Sequence, residues 1–208
     1  MNPPFRPPLP QQDNLIVAVS RGLAVLRTQR DECLDWLGAD RDERGRIRVR
    51  VLGQPMSVDD EAVGLVFEDG TPVEMRWQVL VIHYLSAAVP VELTDQEIVF
   101  ADIPDTRGYQ DVYENRVIKR LCRTAGRTAE AFERAAQAIG GCRCPGEGDL
   151  AFRFDVLPRV SLRIVWFAGD EDFPPNAVFL FPSHVVHLLP AEDIVVLSEL
   201  VVGRLARA

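Results

Sequence analysis

The chain has 208 residues, which is long enough to bury a substantial hydrophobic core. Its net charge of −8 argues against a nucleic-acid partner, because such binding requires a basic face and the 23 basic residues are scattered among 31 acids. No apolar run reaches the roughly 18 residues of a membrane helix, and the first residues lack the pattern of a signal peptide. We therefore expect a cytoplasmic protein with no membrane partner.

Five prolines lie within residues 1–12, a composition typical of a solvated, flexible arm. From residue 13 onwards the hydrophobic patterns continue without an internal repeat or a Gly/Ser-rich linker. The predicted organisation is therefore a proline-rich flexible arm over residues 1–12 and a single α+β domain over residues 13–208.

Two helices and a strand are predicted at the start of the domain. Leu15, Val19 and Leu23 follow helical spacing, and Gly38 is placed to end a second, shorter helix. Apolar residues then alternate with arginines over residues 46–51, which predicts a strand with one apolar face and one basic face.

Further strands are predicted over residues 56–58 and 63–67, followed by a helix that opens at Pro72 and ends before Pro90. His83 lies near the C-terminal end of this helix, where the helix dipole favours an imidazolium ion. A histidine in such a position is more often a structural cap than a ligand to a bound molecule.

The second half of the domain is predicted to be built around a hairpin. Residues 152–156 and 160–166 each alternate apolar and polar side chains, and the short turn between them predicts an antiparallel pair. The remaining predicted elements are a strand over residues 98–100 and helices over residues 109–123, 128–139 and 194–205. Because helices and strands are grouped rather than alternating, we expect an α+β fold, with an antiparallel sheet built around the C-terminal hairpin and packed by several helices.

The hairpin leads into an acidic loop, and the chain then returns to two histidines. His187 follows the strand that completes the hairpin sheet and His83 ends a helix, so both imidazoles lie where elements terminate. We hypothesise that these two histidines converge on one pocket facing the acidic loop; the alternative is two unrelated caps. The candidate ligand-binding residues are His83, Tyr84, Asp170, Glu171, Asp172, His187 and Glu192.

The sequence does not assign a metal or a catalytic residue. His83 and His187, once brought together, would suit a metal ion or a haem, but no third ligand is fixed by the sequence. Cys142 and Cys144 are separated by one residue and lack the second pair of a structural zinc site. Cys142 and Cys144 are therefore predicted to be solvent-near thiols that bind no metal. The sequence does not identify a cofactor.

Several short motifs, taken in order, resemble those of the domain-of-unknown-function family 3786. Residues 79–85, VLVIHYL, resemble the LLHYL signature of that family. Its C-terminal pattern is similar to Gly148-Asp149, Leu157-Pro158, Trp166, residues 170–174, Leu180-Phe181, His187 and Glu192-Asp193. The polar residues that this resemblance marks are His83, Asp170, Glu171, His187, Glu192 and Asp193.

The resemblance implies a prokaryotic protein from a family in which some members are fused to an iron–sulfur cluster domain. It implies no particular reaction. This chain departs from the fused members because it has no cluster-type cysteine spacing.

Three functions follow as hypotheses. The first is a small-molecule or cofactor-binding protein with an accessory or sensing role, whose partner is a small-molecule ligand or a partner enzyme. The alternative is a metal-dependent enzyme that uses His83 and His187 with a carboxylate of the acidic loop, and the third is a protein-interaction module. A pocket with titratable groups of shifted pKa would favour the enzyme, whereas an exposed apolar patch would favour the interaction module. The oligomeric state stays open.

Overall fold

The computed structural model describes residues 12–59, 64–145 and 148–208. The predicted proline-rich arm therefore lies outside the described residues, except for Gln12, which begins the first helix. The α-helices of the described part are α1 (Gln12–Leu26), α2 (Asp31–Trp36), α3 (Met75–Leu85), α4 (Gln110–Tyr113), α5 (Lys119–Arg123), α6 (Ala129–Ala138) and α7 (Ala191–Leu205).

The strands of the described part form two antiparallel sheets. They are β1 (Asp40–Arg41), β2 (Ile47–Val51), β3 (Gln54–Asp59), β4 (Gly64–Phe67), β5 (Glu97–Val99), β6 (Cys142–Arg143), β7 (Leu150–Leu157), β8 (Val160–Phe167) and β9 (Asn176–Pro182). The order is β1-β2-β3-β4 in one sheet and β5-β9-β8-β7-β6 in the other. Helices and strands occupy separate parts of the chain, so the predicted α+β class is confirmed.

The predicted hairpin is the centre of the five-stranded sheet. β7 and β8 pair antiparallel, with Phe152 opposite Ile164 and Phe154 opposite Leu162. All four of these side chains are buried. A one-residue slip would turn this apolar set towards solvent, so the alternation in the sequence fixes the register.

Residues from both sheets and from all seven α-helices form one continuous hydrophobic core. Phe132 of α6 packs edge-on against Phe152 of β7, with ring centroids 5.6 Å apart. A backbone hydrogen bond of 3.0 Å from Leu52 to the carbonyl of Val156 joins the two sheets.

Helix α7 is the most buried of the helices, with eleven of its 15 residues buried. The nearest helical neighbours of α7 are α3, α5, α6 and the helical turn that precedes α5. That α7 also lies across the hairpin sheet stays a prediction. A helix that is buried over most of its surface is stabilised by such a surrounding layer of helices. None of the helices in the described ranges combines the length and the apolar character needed to cross a bilayer.

Two helix predictions need correction. Helix α3 begins at Met75 rather than at Pro72, because Pro72 pairs with Val66 and the amide of Val73 donates to the carbonyl of Leu65. The chain thus extends the edge of β4 before it turns into the helix. The helix predicted over residues 109–123 is interrupted by a π-helical turn between α4 and α5 (Glu114–Ile118).

Candidate functional site

The last turn of α3 meets the first turn of α7 through a histidine–aspartate pair. His83 Nδ1 lies 2.7 Å from Asp193 Oδ2, and Asp193 is buried whereas the His83 side chain is 45% exposed. The hydrogen bond that His83 donates to the Asp193 carboxylate raises the pKa of His83, although partial burial opposes the shift. Both helix ends favour this arrangement, since a helix N-terminus stabilises the carboxylate and a helix C-terminus stabilises the imidazolium.

A second contact lies beside this pair. The hydroxyl group of Tyr109 donates a hydrogen bond to the carboxylate of Glu192, which directly precedes Asp193 in the first turn of α7. The Glu192 carboxylate raises the pKa of Tyr109, because it favours the protonated phenol. Two neighbouring carboxylates at one helix end therefore bind groups from two different elements.

Seven residues further along α7, Glu199 lies between two arginines. Arg76 Nη2 is 2.5 Å from Glu199 Oε2 and Arg116 Nη1 is 3.5 Å from Glu199 Oε1. Arg76 precedes His83 by seven residues on α3, and Glu199 follows Asp193 by six residues on α7. The two helices therefore run antiparallel, with two ionic contacts about two turns apart. Glu199 is buried, and a buried carboxylate is tolerated only when it is paired in this way.

The π-helical turn brings Arg116 to Glu199. Turns of this kind are often found at functional sites, where they shift the helical register by one residue. Sequence reasoning missed Arg76, Arg116 and Glu199. The available signal is that Ser198 and Glu199 interrupt an otherwise apolar stretch of α7.

Tyr84 follows His83 in the sequence but lies in the core rather than in this contact. Its hydroxyl donates to the carbonyl of Leu37 at 2.5 Å and accepts from the amide of Arg159 at 3.2 Å. Burial raises the pKa of Tyr84 far above its usual range. Its role in the described structure is therefore to join the α2 region to the turn of the β7–β8 hairpin.

His184 is held in one tautomer. The backbone amide of Thr94 donates to Nδ1 at 3.2 Å, so Nε2 carries the proton and donates to the carbonyl of Arg159 at 2.9 Å. His184 and His187 lie in one 3₁₀-helical turn (Ser183–His187), but His184 is buried and His187 is exposed. The two imidazoles thus have different surroundings despite their spacing.

His187 lines an open cleft of about 690 Å³, which we name the histidine cleft. Its lining consists of Ala88, Pro90, Val91, Glu92, Thr94, Ser183, His184 and His187. One wall follows α3 in the chain and the other precedes α7. Since His83 and Asp193 join the corresponding ends of those two helices, this pair lies at the same end of the helix pair as the cleft.

The acidic loop lines a different cleft, of about 530 Å³, together with residues 127–130 and Trp166. Asp170 accepts hydrogen bonds from the amides of Asp172 and Phe173, which fixes the turn of the loop. Glu171 and Asp172 are exposed. Neither of these two clefts includes both a histidine and a residue of the acidic loop, and convergence of His83 and His187 stays a prediction.

The four cysteines are free thiols. Cys142 is exposed and Cys144 is half-buried, and burial raises the pKa of the Cys144 thiol. Within the described ranges, no three His, Cys, Asp or Glu residues are grouped so that they could hold a metal ion.

Comparison with known proteins gives a family but no close relative. No curated protein and no solved structure matches the chain. The family model described as Domain of unknown function (DUF3786) matches residues 31–204, which include every strand, helices α2 to α6 and nearly all of α7. The chain therefore belongs to the DUF3786 family.

Proposed function

We propose that the protein binds a small molecule or an organic cofactor in the histidine cleft, and that it acts as an accessory or sensing protein. The observation that carries this proposal is the cleft itself. At about 690 Å³ it is larger than the other four clefts compared with it, which measure about 270 to 530 Å³. Ligand pockets typically have about 300 to 1,000 Å³ and combine apolar walls with a few polar groups.

The lining of the histidine cleft has this composition. Ala88, Pro90 and Val91 supply apolar surface, while Glu92 and His187 supply polar groups. His187 is exposed, so its imidazole is available to a ligand. A neutral imidazole both donates and accepts a hydrogen bond, which suits a polar organic ligand.

A fixed bond network shapes one wall of the cleft. His184 accepts a hydrogen bond from the backbone amide of Thr94 and donates one to the backbone carbonyl of Arg159. A further backbone bond, from the Ser183 amide to the carbonyl of Gln96, joins the same two segments. The cleft is therefore preorganised, which lowers the entropic cost of binding a ligand.

The donor set does not fit a non-haem metal ion without further ligands. His187 and Glu92 are two donors, whereas protein metal sites use three or four. We therefore favour an organic ligand over a metal-dependent function.

Acid–base catalysis is the second candidate, and the His83–Asp193 pair favours it. A buried carboxylate that binds Nδ1 orients the imidazole and leaves Nε2 to exchange a proton with a substrate. Nε2 of His83 has no hydrogen-bond partner among the described residues, and the ring is partly exposed. A reaction at this position would depend on the protonation state of His83.

Native mass spectrometry of the protein purified from its own host, with an absorption spectrum, tests the binding proposal. We expect the wild-type protein to retain a small molecule that the His187→Ala variant loses. Gln137→Ala on α6 is the control, because Gln137 is exposed and does not line the histidine cleft. A ligand retained equally by His187→Ala, or no ligand in the wild-type protein even after incubation with host extract, would contradict the proposal.

A steady-state assay separates the enzyme from the binding protein. If the retained molecule is converted to a product, His83→Gln is expected to lower kcat at least tenfold without loss of binding, because the proton-transferring group is removed. An unchanged kcat in this variant would exclude His83 as the acid–base residue.

A further inference from the structure

Two of the four cysteines lie together at the edge of the five-stranded sheet. Cys142 belongs to β6, which is the last strand in the sheet order, and it lies opposite Arg153 of β7. The backbone amide of Cys144 donates to the carbonyl of Ala151 at 3.0 Å. The pairing with β7 therefore continues through Cys144, and both cysteines lie on one extended segment of the sheet edge.

The two thiols project from the same face of the sheet. Side chains alternate along a strand, so residues at i and i+2 share a face. Arg143, which lies between the two cysteines, points to the opposite face, where its Nη1 is 2.9 Å from Glu133 Oε1 of α6. Cys142 and Arg153 are both close enough to Cys144 to influence the charge of its thiol. The two sulfur atoms are therefore neighbours.

The spacing of the two cysteines permits a disulfide. A strand rises about 3.2 to 3.4 Å per residue, so the Cα atoms of residues i and i+2 are about 6.4 to 6.8 Å apart. Disulfides usually join Cα atoms that are about 4.4 to 6.8 Å apart. Because β6 has only two residues and ends the sheet order, a small local adjustment is enough to bring the sulfur atoms to bonding distance.

The other two cysteines are much less available to a reagent in solution. Cys33 is buried, and Arg30 Nη2 donates to its Sγ at 3.4 Å. Cys122 is half-buried, and burial raises the pKa of its thiol to about 11, so that little thiolate forms at neutral pH. Cys142, in contrast, is exposed. A dissolved electrophile therefore meets Cys142 first.

Cys144 is suited to a second step rather than to the first. It is half-buried, and burial is the main effect that raises the pKa of its thiol. Such a thiol attacks a dissolved reagent slowly, because the thiolate is the nucleophile, but a neighbour on the same strand face presents a high effective concentration. Arg153 and Arg163 lie close by, and each already binds a carboxylate. Exposure and proximity, rather than an unbalanced positive charge, distinguish this pair.

We propose that Cys142 and Cys144 form a dithiol site that reduces a small organic disulfide. The Cys142 thiolate attacks one sulfur of the substrate, the S–S bond of the substrate breaks, and the first thiolate leaves. The Cys144 thiolate then attacks the Cys142 sulfur, the mixed disulfide breaks, and the second thiolate leaves. Two electrons thus pass from the cysteines to the substrate, and the two cysteine protons end on the released thiols. The site is separate from the histidine cleft and does not depend on the function proposed there.

Reaction of the reduced full chain with glutathione disulfide, followed by an acid quench and by intact-mass and peptide mass spectrometry, tests the proposal. The wild-type protein should lose the mass of two hydrogen atoms and contain a disulfide between Cys142 and Cys144. Cys144→Ser should instead retain one glutathione on Cys142, because the second thiol is missing. Cys142→Ser should react about tenfold more slowly, because the accessible thiol is missing.

Cys122→Ser is the matched control, and it should react at the wild-type rate and form the same disulfide. His187→Ala should do the same, which separates this site from the histidine cleft. The proposal would be overturned by a wild-type protein that does not react, or that keeps a glutathione adduct without an internal disulfide. An unchanged rate in Cys142→Ser, or a disulfide that links two chains on a non-reducing gel, would also overturn it. Circular dichroism checks that each variant is folded.

Discussion

The two ends of α7 differ in how their charges are balanced. At the N-terminal end Asp193 and Glu192 bind His83 and Tyr109, and at mid-helix Glu199 binds two arginines. At the C-terminal end Arg204 donates to Gln54, while Arg120 and Arg207 lie beside Gly203, and none of these arginines has a salt bridge to an acidic side chain of the described residues. The N-terminal end and the middle of the helix thus pair their charges within the fold, whereas the arginines near its C-terminal end are exposed or bonded to a neutral amide.

This difference separates stability from binding. A charge pair that closes the contact between two helices changes stability when it is removed, because one partner is left buried and unpaired. An arginine that faces a cleft without a partner contributes little to stability and is available to a ligand. Variants along α7 should therefore divide into these two classes.

The largest effect on stability is expected at the middle of α7. Arg76→Met removes the nearer partner of the buried Glu199 and should lower the free energy of unfolding by about 2 kcal/mol. Arg116→Met is the matched control, because Arg116 is more exposed and its contact is longer, and it should cost less than about 1 kcal/mol. Urea denaturation measures both. Equal losses in the two variants would show that the shorter contact is not the main stabilising one.

The next largest effect is expected at the arginine end, with the opposite sign. Gly203→Ala should raise the free energy of unfolding by about 0.5 to 1 kcal/mol, because glycine is unfavourable inside a helix. The new methyl group would lie at least 3.5 Å from its neighbours, which is ordinary van der Waals contact. Thermal unfolding monitored by circular dichroism measures the change. A destabilised variant would show that the space over Gly203 is required by the fold.

A smaller effect is expected from the histidine pair at the N-terminal end. The fold raises the pKa of His83, so protonation stabilises the native state: the contribution is fully present below the unfolded pKa of about 6.5 and is lost as the pH rises through the raised value. Because the side chain is 45% exposed, solvent screening keeps this contribution below about 1 kcal/mol.

Urea denaturation of the wild-type protein and His83→Gln between about pH 5 and pH 9 isolates this contribution, since other titrating groups are common to both proteins. The difference in stability should shrink as the pH rises. Asp193→Asn should remove most of it, because Asp193 supplies the carboxylate that raises the pKa of His83. A difference that grows with pH would mean that the neutral imidazole is the form that the fold prefers.

The smallest effect is expected at the histidine cleft. His187→Gln should change the free energy of unfolding by less than about 0.5 kcal/mol, because His187 is exposed and its side chain makes no hydrogen bond within the described residues. Thermal unfolding measures this. A loss comparable to that of Arg76→Met would assign His187 to the stability class rather than to the binding class.

The positions of His83 and His187 could be recognised from the sequence, because the patterns that place them are local. His83 lies at the end of a helix with a clear period and His187 follows a strand with clear alternation, so both were predicted near element ends. Their surroundings were not predictable in the same way. His184 and His187 have the spacing of neighbours on one helical face, yet the contact with Thr94, 90 residues away in the chain, buries only His184.

The amino-acid sequence by itself determined the β7–β8 hairpin, the approximate bounds of α6 and the α+β class, because hydrophobic periodicity and capping are local properties. The tertiary structure alone decided which charges meet. Asp193 and Glu199 find their partners 110 and 123 residues away, and Arg120 and Arg207, from different parts of the chain, both lie beside Gly203. Such pairs depend on how helices pack against one another, and no periodicity in the sequence records that packing.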